Sequence, residues 1–334
     1  MLGFGRAAVR TTDDLLAFLR AQQFEPNYPD PTPADDKHFL TREEPAKEWC
    51  KYVERILCYG DSSTRPELVQ VHSISGLGKT TFGERAKQMW EAKQDVTRLD
   101  KYCGIMVKQI NFDRRTEHND VQLASGVLNE EVPLECALPL CLAARLFETS
   151  YDSFVKKLVP VELDLFTMET VQQLYEKVYG ASTERPLLLF VHVDELNQIT
   201  KESGSSSGLH KGQLLRIILP LRDAMQLNAR SPVQVVPMFT GTLLMETFIG
   251  ITTARPVTIN LPLLDLREAL EVLRSEAPDA VQPGTEAQWM QLLGDCGPIA
   301  RIFWDCIIAG AQRLGPGDER PPVDLFDSAS QQAD

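Results

Sequence analysis

Residues 73–81 read Ser-Ile-Ser-Gly-Leu-Gly-Lys-Thr-Thr, and this stretch is the most informative in the chain. It follows a short apolar run at residues 68–72 and precedes a helix-like run at residues 82–90. A strand, a glycine-bearing loop, Lys-Thr and a helix, in this order, form the arrangement that wraps the phosphates of a nucleotide. Gly76 and Gly78 can adopt backbone angles closed to other residues, so that consecutive N–H groups turn inward toward an anion. The start of the following helix adds partial positive charge, and the sequence therefore predicts a phosphate-binding loop.

The loop also carries the side chains that are expected to act on a triphosphate. Lys79 is placed to reach the β- and γ-phosphates, and the Thr80 hydroxyl is placed to ligate Mg²⁺. The general pattern G-x-x-x-x-G-K-[ST] has glycine where this chain has Ser73, which leaves an ordinary strand–helix turn as the alternative. The residues predicted to bind the nucleotide are Ser75, Gly76, Leu77, Gly78, Lys79, Thr80 and Thr81.

The composition is ordinary for a soluble globular protein, with 43% hydrophobic and 24% charged residues among 334. A formal net charge of −13 argues against a nucleic-acid-binding surface across the whole chain, although a local basic patch is compatible with it.

Seven scattered cysteines show no C-x-x-C pair and no Cys/His metal spacing. They predict buried, reduced thiols and an intracellular protein of the cytoplasm or nucleus. No apolar run reaches the roughly 18 residues that span a bilayer, so no membrane contact is expected.

Strand-like and helix-like segments alternate along the chain, which predicts the α/β fold class. We expect a parallel, doubly wound P-loop sheet with helices on both faces and a C-terminal helical lid subdomain. The predicted domains are an N-terminal helix and Pro-rich linker at 1–35, a P-loop core at 36–262, the lid at 263–315 and a disordered tail at 316–334. Strands are predicted at residues 68–72, 104–112, 187–193, 233–239 and 256–261. Helices are predicted at residues 11–22, 39–58, 82–90, 214–227, 266–275, 286–293 and 298–314, and residues 121–179 are predicted to be mostly helical. Thr12 or Asp13 is the predicted cap of the first helix.

An acid pair, Asp194 and Glu195, directly follows the most apolar strand, residues 187–193. In a parallel sheet, ligands bind at the carboxyl ends of the strands, where both the acid pair and the phosphate loop lie. Asp194 can hold Mg²⁺, directly or through water, and Glu195 can orient the water that attacks the γ-phosphate. The alternative is a solvated strand end that happens to be acidic.

Polar residues at the end of the next strand are candidates for sensing the γ-phosphate. Thr240 is the first candidate and Thr242 the second, while a Thr-Gly turn that caps the next helix is the alternative. Arg255 precedes the last strand and could act as an arginine finger or pair with an acid. His72 and His192 lie inside apolar strands and are expected to be core residues rather than ligands.

These motifs together resemble the ATPase core of the additional-strand class, and within it the STAND and AAA+ branches. The segment 39–44, Phe-Leu-Thr-Arg-Glu-Glu, resembles the arginine–glutamate box of these proteins, which implies that Arg42 lies against the adenine. Gly297-Pro298 resembles the pair that opens the lid helix facing the nucleotide, and Arg301 lies near the position of a second sensor arginine. No guanine-reading Asn/Thr-Lys-x-Asp element follows the fourth strand, so ATP is the expected nucleotide.

The phrase Leu-Leu-Phe-Val-His-Val-Asp-Glu-Leu-Asn at 188–197 also resembles the ATPase domains of Crinkler-type and retrotransposon-hot-spot-type proteins. That narrower resemblance implies a nucleus-directed or host-directed protein, often with a nuclease-like domain. No such domain and no secretory leader is recognisable in this sequence, which speaks against an effector role.

The sequence therefore predicts an ATP hydrolase that uses Mg²⁺, acts as a conformational switch and has a protein partner or self-associates. Lys79, Glu195, Thr240 and Arg301 are the predicted catalytic residues, and Thr80 and Asp194 the predicted metal ligands. Two alternatives remain: a nucleotide-binding scaffold with little or no turnover, and a nucleotide-dependent kinase or transferase acting on a small acceptor.

Overall fold

The computed structural model describes residues 9–26, 42–59, 66–73, 76–112, 132–158, 161–196, 211–241, 255–281, 284–295, 299 and 302–312. The chain divides into two compact units. The first unit comprises Met1–Thr32, Glu48–His72 and Thr80–Ile259, and the second comprises Pro33–Lys47, Ser73–Lys79 and Asn260–Asp334.

The first unit is built on a five-stranded sheet. Its strands are β1 (Glu67–His72), β2 (Gly104–Asn111), β3 (Leu187–Asp194), β4 (Val233–Thr240) and β5 (Arg255–Asn260), in the order β2-β3-β4-β1-β5. The pairs β2–β3, β3–β4 and β4–β1 are parallel. The predicted α/β fold with a parallel sheet is therefore confirmed, and an additional strand, β4, separates the loop-bearing β1 from the acid-bearing β3.

The register of the parallel strands sets the level of the polar residues at their carboxyl ends. Asn111 of β2 pairs with Asp194 of β3, and Asp194 pairs with Thr240 of β4. All eight residues of β3 are buried. A near-continuous apolar run of this kind is typical of a strand covered on both faces. The sheet therefore carries one buried acid and one buried hydroxyl side by side at the carboxyl ends of two neighbouring strands.

Helices account for most of the remaining described residues of the first unit. They are α1 (Thr12–Ala21), α2 (Glu43–Leu57), α3 (Lys79–Glu84), α4 (Ala86–Glu91), α5 (Val96–Leu99), α6 (Ala137–Leu146), α7 (Tyr151–Lys157), α8 (Met168–Tyr179) and α9 (Lys211–Gln226), of which α2 and α3 begin in the second unit.

The cap of α1 differs from the prediction, because Thr11 is the N-cap rather than Thr12 or Asp13. The Thr11 hydroxyl accepts from Asp14 N at 3.1 Å, and the Asp14 carboxylate accepts from Thr11 N at 3.1 Å, which forms a capping box.

The single helix predicted at residues 82–90 is divided into α3 and α4. Arg85 interrupts the helical backbone with φ −90° and ψ 10°. Backbone bonds from Arg85 N to Thr81 O (3.1 Å) and from Met89 N to Arg85 O (3.0 Å) bridge the interruption. Backbone hydrogen bonds therefore connect α3 to α4 across Arg85.

Aromatic side chains of α2 attach this helix to the sheet of the first unit. Trp49 and Tyr52 are fully buried, and the Trp49 ring lies 5.6 Å from the ring of Phe190 on β3. The Tyr52 hydroxyl donates to the Glu67 carbonyl of β1 at 3.0 Å. The first contact packs α2 against β3, and the second holds the start of β1, the strand that leads into residue 73.

The second unit contains helices α10 (Leu266–Glu276) and α11 (Glu286–Asp295), followed by a π-helical segment, Phe303–Ile308, and a last turn, Ala309–Ala311. These elements share an apolar core in which Trp289 is buried and donates from Nε1 to the Ala280 carbonyl at 3.1 Å. The helices predicted at 266–275 and 286–293 are confirmed. The domain boundaries at 35, 262 and 315 stay predictions.

Among the described residues, no helix combines the length and the hydropathy that a membrane crossing requires.

Candidate functional site

Two glycines of the loop after β1 have the backbone angles that the sequence predicts. Gly76 and Gly78 have φ of 85° and 81°, in the left-handed region that glycine enters without strain. Lys79 is buried, and its Nζ donates to the carbonyl of Ser73 at 3.1 Å. Ser75, another predicted binding residue, lies outside the described residues. The loop thus has the glycine geometry of an anion-binding turn.

Arg42 bonds to this loop within the second unit. Its Nη2 donates to the Leu77 carbonyl, and its Nη1 donates to the Pro262 carbonyl at 2.8 Å. Burial lowers the pKa of Arg42 to about 10, opposed by the negative charge of Glu268, so the guanidinium is charged at neutral pH. The resemblance implies that Arg42 contacts adenine, whereas in the structure its donors go to the loop backbone and to the segment before α10.

In the first unit, Thr80, Asp194 and Thr240 converge into one hydrogen-bonded group. The Thr80 hydroxyl donates to Oδ2 of Asp194 at 2.6 Å, and the Thr240 hydroxyl donates to Oδ1 of the same carboxylate. Asp194 is 2% exposed and Thr240 fully buried. The predicted metal ligands and the predicted sensor therefore lie together, and both carboxylate oxygens of Asp194 accept a hydroxyl proton.

His192 extends this group by one residue. Its Nε2 lies 2.7 Å from the Thr240 hydroxyl oxygen, inside the sheet. Burial lowers the pKa of His192 to about 3, so the imidazole is neutral. The expectation of a buried core histidine is confirmed, but its bond to Thr240 was not anticipated. The two-residue period of a strand places His192 and Asp194 on the same face of β3, which was the available indication.

Gly83 provides the space that the His192 ring occupies. A Cβ atom at position 83 would lie 2.3 Å from Nε2 of His192 and 2.4 Å from two ring carbons. Contacts under 3 Å between such atoms are not tolerated, so α3 passes β3 at this level only with glycine. The sequence gives no direct indication of this role, because a lone glycine in a helix has many causes.

Glu195, the predicted water-orienting acid, is the first residue after β3. It is a non-glycine residue with a positive φ of 51°. Its backbone N–H donates to the Thr240 carbonyl at 2.8 Å, which continues the sheet pairing by one step. The chain therefore turns sharply at Glu195 while remaining attached to β4. Left-handed backbone at non-glycine residues is concentrated at functional sites.

Glu84, at the end of α3, adds a third acid near this group. Burial and the neighbouring charge of Asp194 raise the pKa of the Glu84 carboxyl, and a hydrogen bond with Gln109 partly opposes the shift. Negative charge is thus concentrated near Asp194. Among the described residues no group of three or more His, Cys, Asp or Glu side chains forms a metal cage.

The remaining candidates are placed differently. Arg255 is 74% exposed and forms an ion pair with Glu67, with 3.7 Å between Nη1 and Oε1, which agrees with the acid-pairing alternative. Thr81 is exposed on the first turn of α3. Arg301, Thr242 and the pair Gly297-Pro298 lie outside the described residues.

Comparison with solved structures identifies the same fold in other proteins. The chain is similar to the ORC1 protein of Aeropyrum pernix in complex with DNA, with a TM-score of 0.51 and 13% identity over 90% of this chain and 68% of that one. Two further similar structures are the ADP form of Aeropyrum pernix ORC2 (TM-score 0.49, 17% identity, 93% and 72% covered) and the FIGL-1 AAA domain in complex with ADP (0.39, 11%, 97% and 92%). No family model and no curated protein matches the sequence. The chain therefore shares with ORC1 an α/β fold built on a mostly parallel sheet.

Proposed function

We propose that this protein binds ATP with Mg²⁺ and hydrolyses it at the loop of residues 73–81. The observation that carries the proposal is the 2.6 Å hydrogen bond between the Thr80 hydroxyl and Asp194. It joins the residue that directly follows Lys79 to the acid at the end of β3. A hydroxyl and a buried carboxylate in this relation are the two protein groups that P-loop hydrolases use at their metal.

The residues present fit Mg²⁺ as the metal. Mg²⁺ prefers oxygen ligands and usually takes only one or two carboxylates from the protein, with phosphates and waters completing its shell. Thr80 would bind it directly, and Asp194 would bind it directly or through water. When bound, Mg²⁺ neutralises charge on the β- and γ-phosphates.

The loop would bind the triphosphate through backbone N–H groups of residues 75–81 and through Lys79. For this, the Lys79 ammonium exchanges the Ser73 carbonyl for phosphate oxygens. Arg42 supports the conformation, because a carbonyl held by a buried cation cannot turn toward the anion. The contact of Arg42 with adenine, which the resemblance implies, stays a prediction.

Hydrolysis would take place beside the end of β3. Glu195 orients a water whose oxygen attacks the γ-phosphorus while the bond between this phosphorus and the β,γ-bridging oxygen breaks. The water proton is accepted by the Glu195 carboxylate or a phosphate oxygen, and the products are ADP and inorganic phosphate. Thr240 senses the γ-phosphate, and Arg301 contacts the phosphates from the C-terminal helices.

At the level of the whole protein, we propose a slow, switch-like ATPase of STAND-like behaviour. ATP and ADP would bias two conformations and thereby regulate self-association or a protein partner. An intracellular location agrees with this role. The narrower resemblance to Crinkler-type proteins, with its host-directed location, stays a prediction.

The second candidate is a nucleotide-binding scaffold with little turnover, and Ser73 favours it. This serine replaces the glycine of the general pattern, and its carbonyl is bonded to Lys79, the residue that would stabilise the transferred phosphoryl group. Both candidates share the nucleotide site and differ only in the chemistry of Glu195.

Two variants separate the candidates. Lys79→Ala is expected to weaken ATP binding at least tenfold, a loss of about 1.4 kcal/mol, measured by calorimetric titration with ATP and with ADP. Glu195→Gln is expected to retain binding and to lower phosphate release by roughly 10²-fold or more, because general-base catalysis contributes about that factor. Glu169→Gln, at an exposed acid of α8, is the matched control. Unchanged phosphate release in Glu195→Gln would refute the hydrolase and leave the scaffold, and unchanged binding in Lys79→Ala would refute both.

A further inference from the structure

We infer that His192 is a positioning residue for the hydrolytic site: it fixes the Thr240 hydroxyl oxygen while leaving the hydroxyl proton free to change acceptors. This inference rests on the proposed function, in which Thr240 senses the γ-phosphate. It adds a residue that lies away from the nucleotide and acts through Thr240.

The direction of each hydrogen bond follows from counting protons. A carboxylate has no proton to give, so the Thr240 hydroxyl donates its single proton to Oδ1 of Asp194. The contact between Thr240 and Nε2 of His192 must then have the imidazole as donor. His192 is therefore the tautomer that carries its proton on Nε2.

The second nitrogen of the ring supports this assignment. Nδ1 of His192 is buried and has no hydrogen-bond partner among the described residues. With the proton on Nε2, Nδ1 carries no N–H group that would need an acceptor. The hydrogen-bonding capacity of the ring is thus directed at Thr240 alone.

The arrangement separates the oxygen of Thr240 from its proton. The His192 N–H holds the oxygen in place, and the hydroxyl can rotate to present its proton either to Asp194 or to a γ-phosphate oxygen. Because Thr240 has only one proton, a bond to the γ-phosphate costs Asp194 one of its two hydroxyl partners. Arrival of the γ-phosphate is thereby transmitted to the metal-binding carboxylate.

The surrounding residues hold His192 in this role. The side chain is 1% exposed, and the absence of a Cβ at Gly83 leaves room for the ring next to Nε2. The strand register places Thr240 directly opposite Asp194, two residues beyond His192 on β3. A histidine that only filled space would need no hydrogen-bond donor at Nε2. Replacements of His192 with and without an N–H donor therefore distinguish the two roles.

The first test compares two replacements of His192 in ATP turnover. His192→Gln keeps an N–H donor, and His192→Phe keeps the ring volume without a donor. We expect His192→Phe to lower kcat about tenfold with KM within about twofold, and His192→Gln to remain within about threefold of the wild type; tenfold corresponds to about 1.4 kcal/mol. In a Thr240→Val background, His192→Phe should have no further effect, because no hydroxyl is left to position.

Two results would overturn the inference. One is an unchanged kcat in folded His192→Phe, and the other is a tenfold loss that persists in the Thr240→Val background, which would indicate a structural role. If the wild type binds ATP but does not hydrolyse it, the proposed hydrolysis fails. In that case the affinities of the same variants for ATP and for ADP are measured, and the ratio of the two affinities is compared between variants. An unchanged ratio in His192→Phe then overturns the inference, and a loss that depends on Thr240 supports it.

A measurement without nucleotide keeps the inference falsifiable if the variants do not fold. The wild-type protein, labelled with ¹⁵N-histidine, reports the tautomer of each imidazole, and sequential backbone assignment of the wild type identifies the signal of His192. We expect a slowly exchanging proton on Nε2 of His192 that shifts in Thr240→Val. A proton on Nδ1 instead would overturn the inference whether or not the protein hydrolyses ATP.

Discussion

At the scale of single residues, the imidazole of His192 decides what can stand at position 83. Glycine in a helix interior ordinarily costs about 0.5–1 kcal/mol relative to alanine, because it loses more backbone freedom on folding. Here the absent Cβ gives the space in which His192 bonds to Thr240. The stability lost in α3 thus permits a buried polar contact in β3.

Gly83→Ala is therefore expected to destabilise the protein although it raises helix propensity. Overpacking a tight site costs about 1–3 kcal/mol, which exceeds the gain of about 0.5–1 kcal/mol. Urea denaturation measures the net loss. Gly294→Ala in α11 is the control, since no described atom beyond its chain neighbours and its own helix backbone lies within 4 Å of an added Cβ, and it should be neutral or stabilising. In a His192→Ala background Gly83→Ala should lose its cost; a cost that persists there would show that another neighbour is responsible.

At the scale of secondary-structure elements, Asn228 completes the hydrogen bonding of β4. Its Nδ2 donates to the Val235 carbonyl and its Oδ1 accepts from the Val235 N–H, each at 2.8 Å. The described pairing of β4 with β1 runs from Met238 to Thr240, so Val235 lies before the paired part. The fully buried amide of Asn228 replaces a neighbouring strand at this point.

Asn228→Ala should consequently lower the free energy of unfolding by roughly 2–4 kcal/mol. It leaves one buried N–H and one buried C=O without partners, and each costs about 1–3 kcal/mol. Asn228→Asp should also destabilise, because it keeps the acceptor but places an oxygen against the Val235 carbonyl. Exposed Arg230 on the same turn provides the control: Arg230→Ala should stay within about 0.5 kcal/mol of the wild type. Equal stabilities of the two alanine variants in urea titrations would contradict this account of β4.

At the scale of the whole molecule, the sequence predicts the strands of the sheet better than it predicts the side-chain contacts at their carboxyl ends. Apolar runs such as residues 187–193 locate the strands within about two residues, since burial on both faces demands them. The glycine angles of the loop also follow from local chemistry. Strand order, the convergence of Thr80 and Thr240 on Asp194, and the cap by Asn228 depend on residues far apart in the chain. No local pattern encodes such contacts, and they required the structure.

Global stability should depend on pH through His192 in the absence of nucleotide and Mg²⁺. The unfolded chain binds a proton at this histidine below its ordinary pKa of about 6.5, whereas the folded chain does so only near 3. The unfolded state therefore holds more protons between these values, and stability falls as the pH drops from about 6.5 toward 3. Between pH 7.5 and 5.0 the wild type should lose roughly 2 kcal/mol more than His192→Gln in urea titrations, at about 1.4 kcal/mol per pH unit. Equal losses in the free energy of unfolding of the two proteins would show that His192 binds its proton as readily in the folded state as in the unfolded state.

The buried guanidinium of Arg42 can form its two hydrogen bonds only in a fixed order during synthesis of the chain. Its two acceptors, the carbonyls of Leu77 and Pro262, come from opposite ends of the chain that forms the sheet. A ribosome delivers Arg42 and the phosphate loop early and Pro262 only after all five strands have been made. Until then the guanidinium lacks one of its two partners in the finished protein. The nascent loop therefore acquires its full support late in synthesis, after the sheet has been completed.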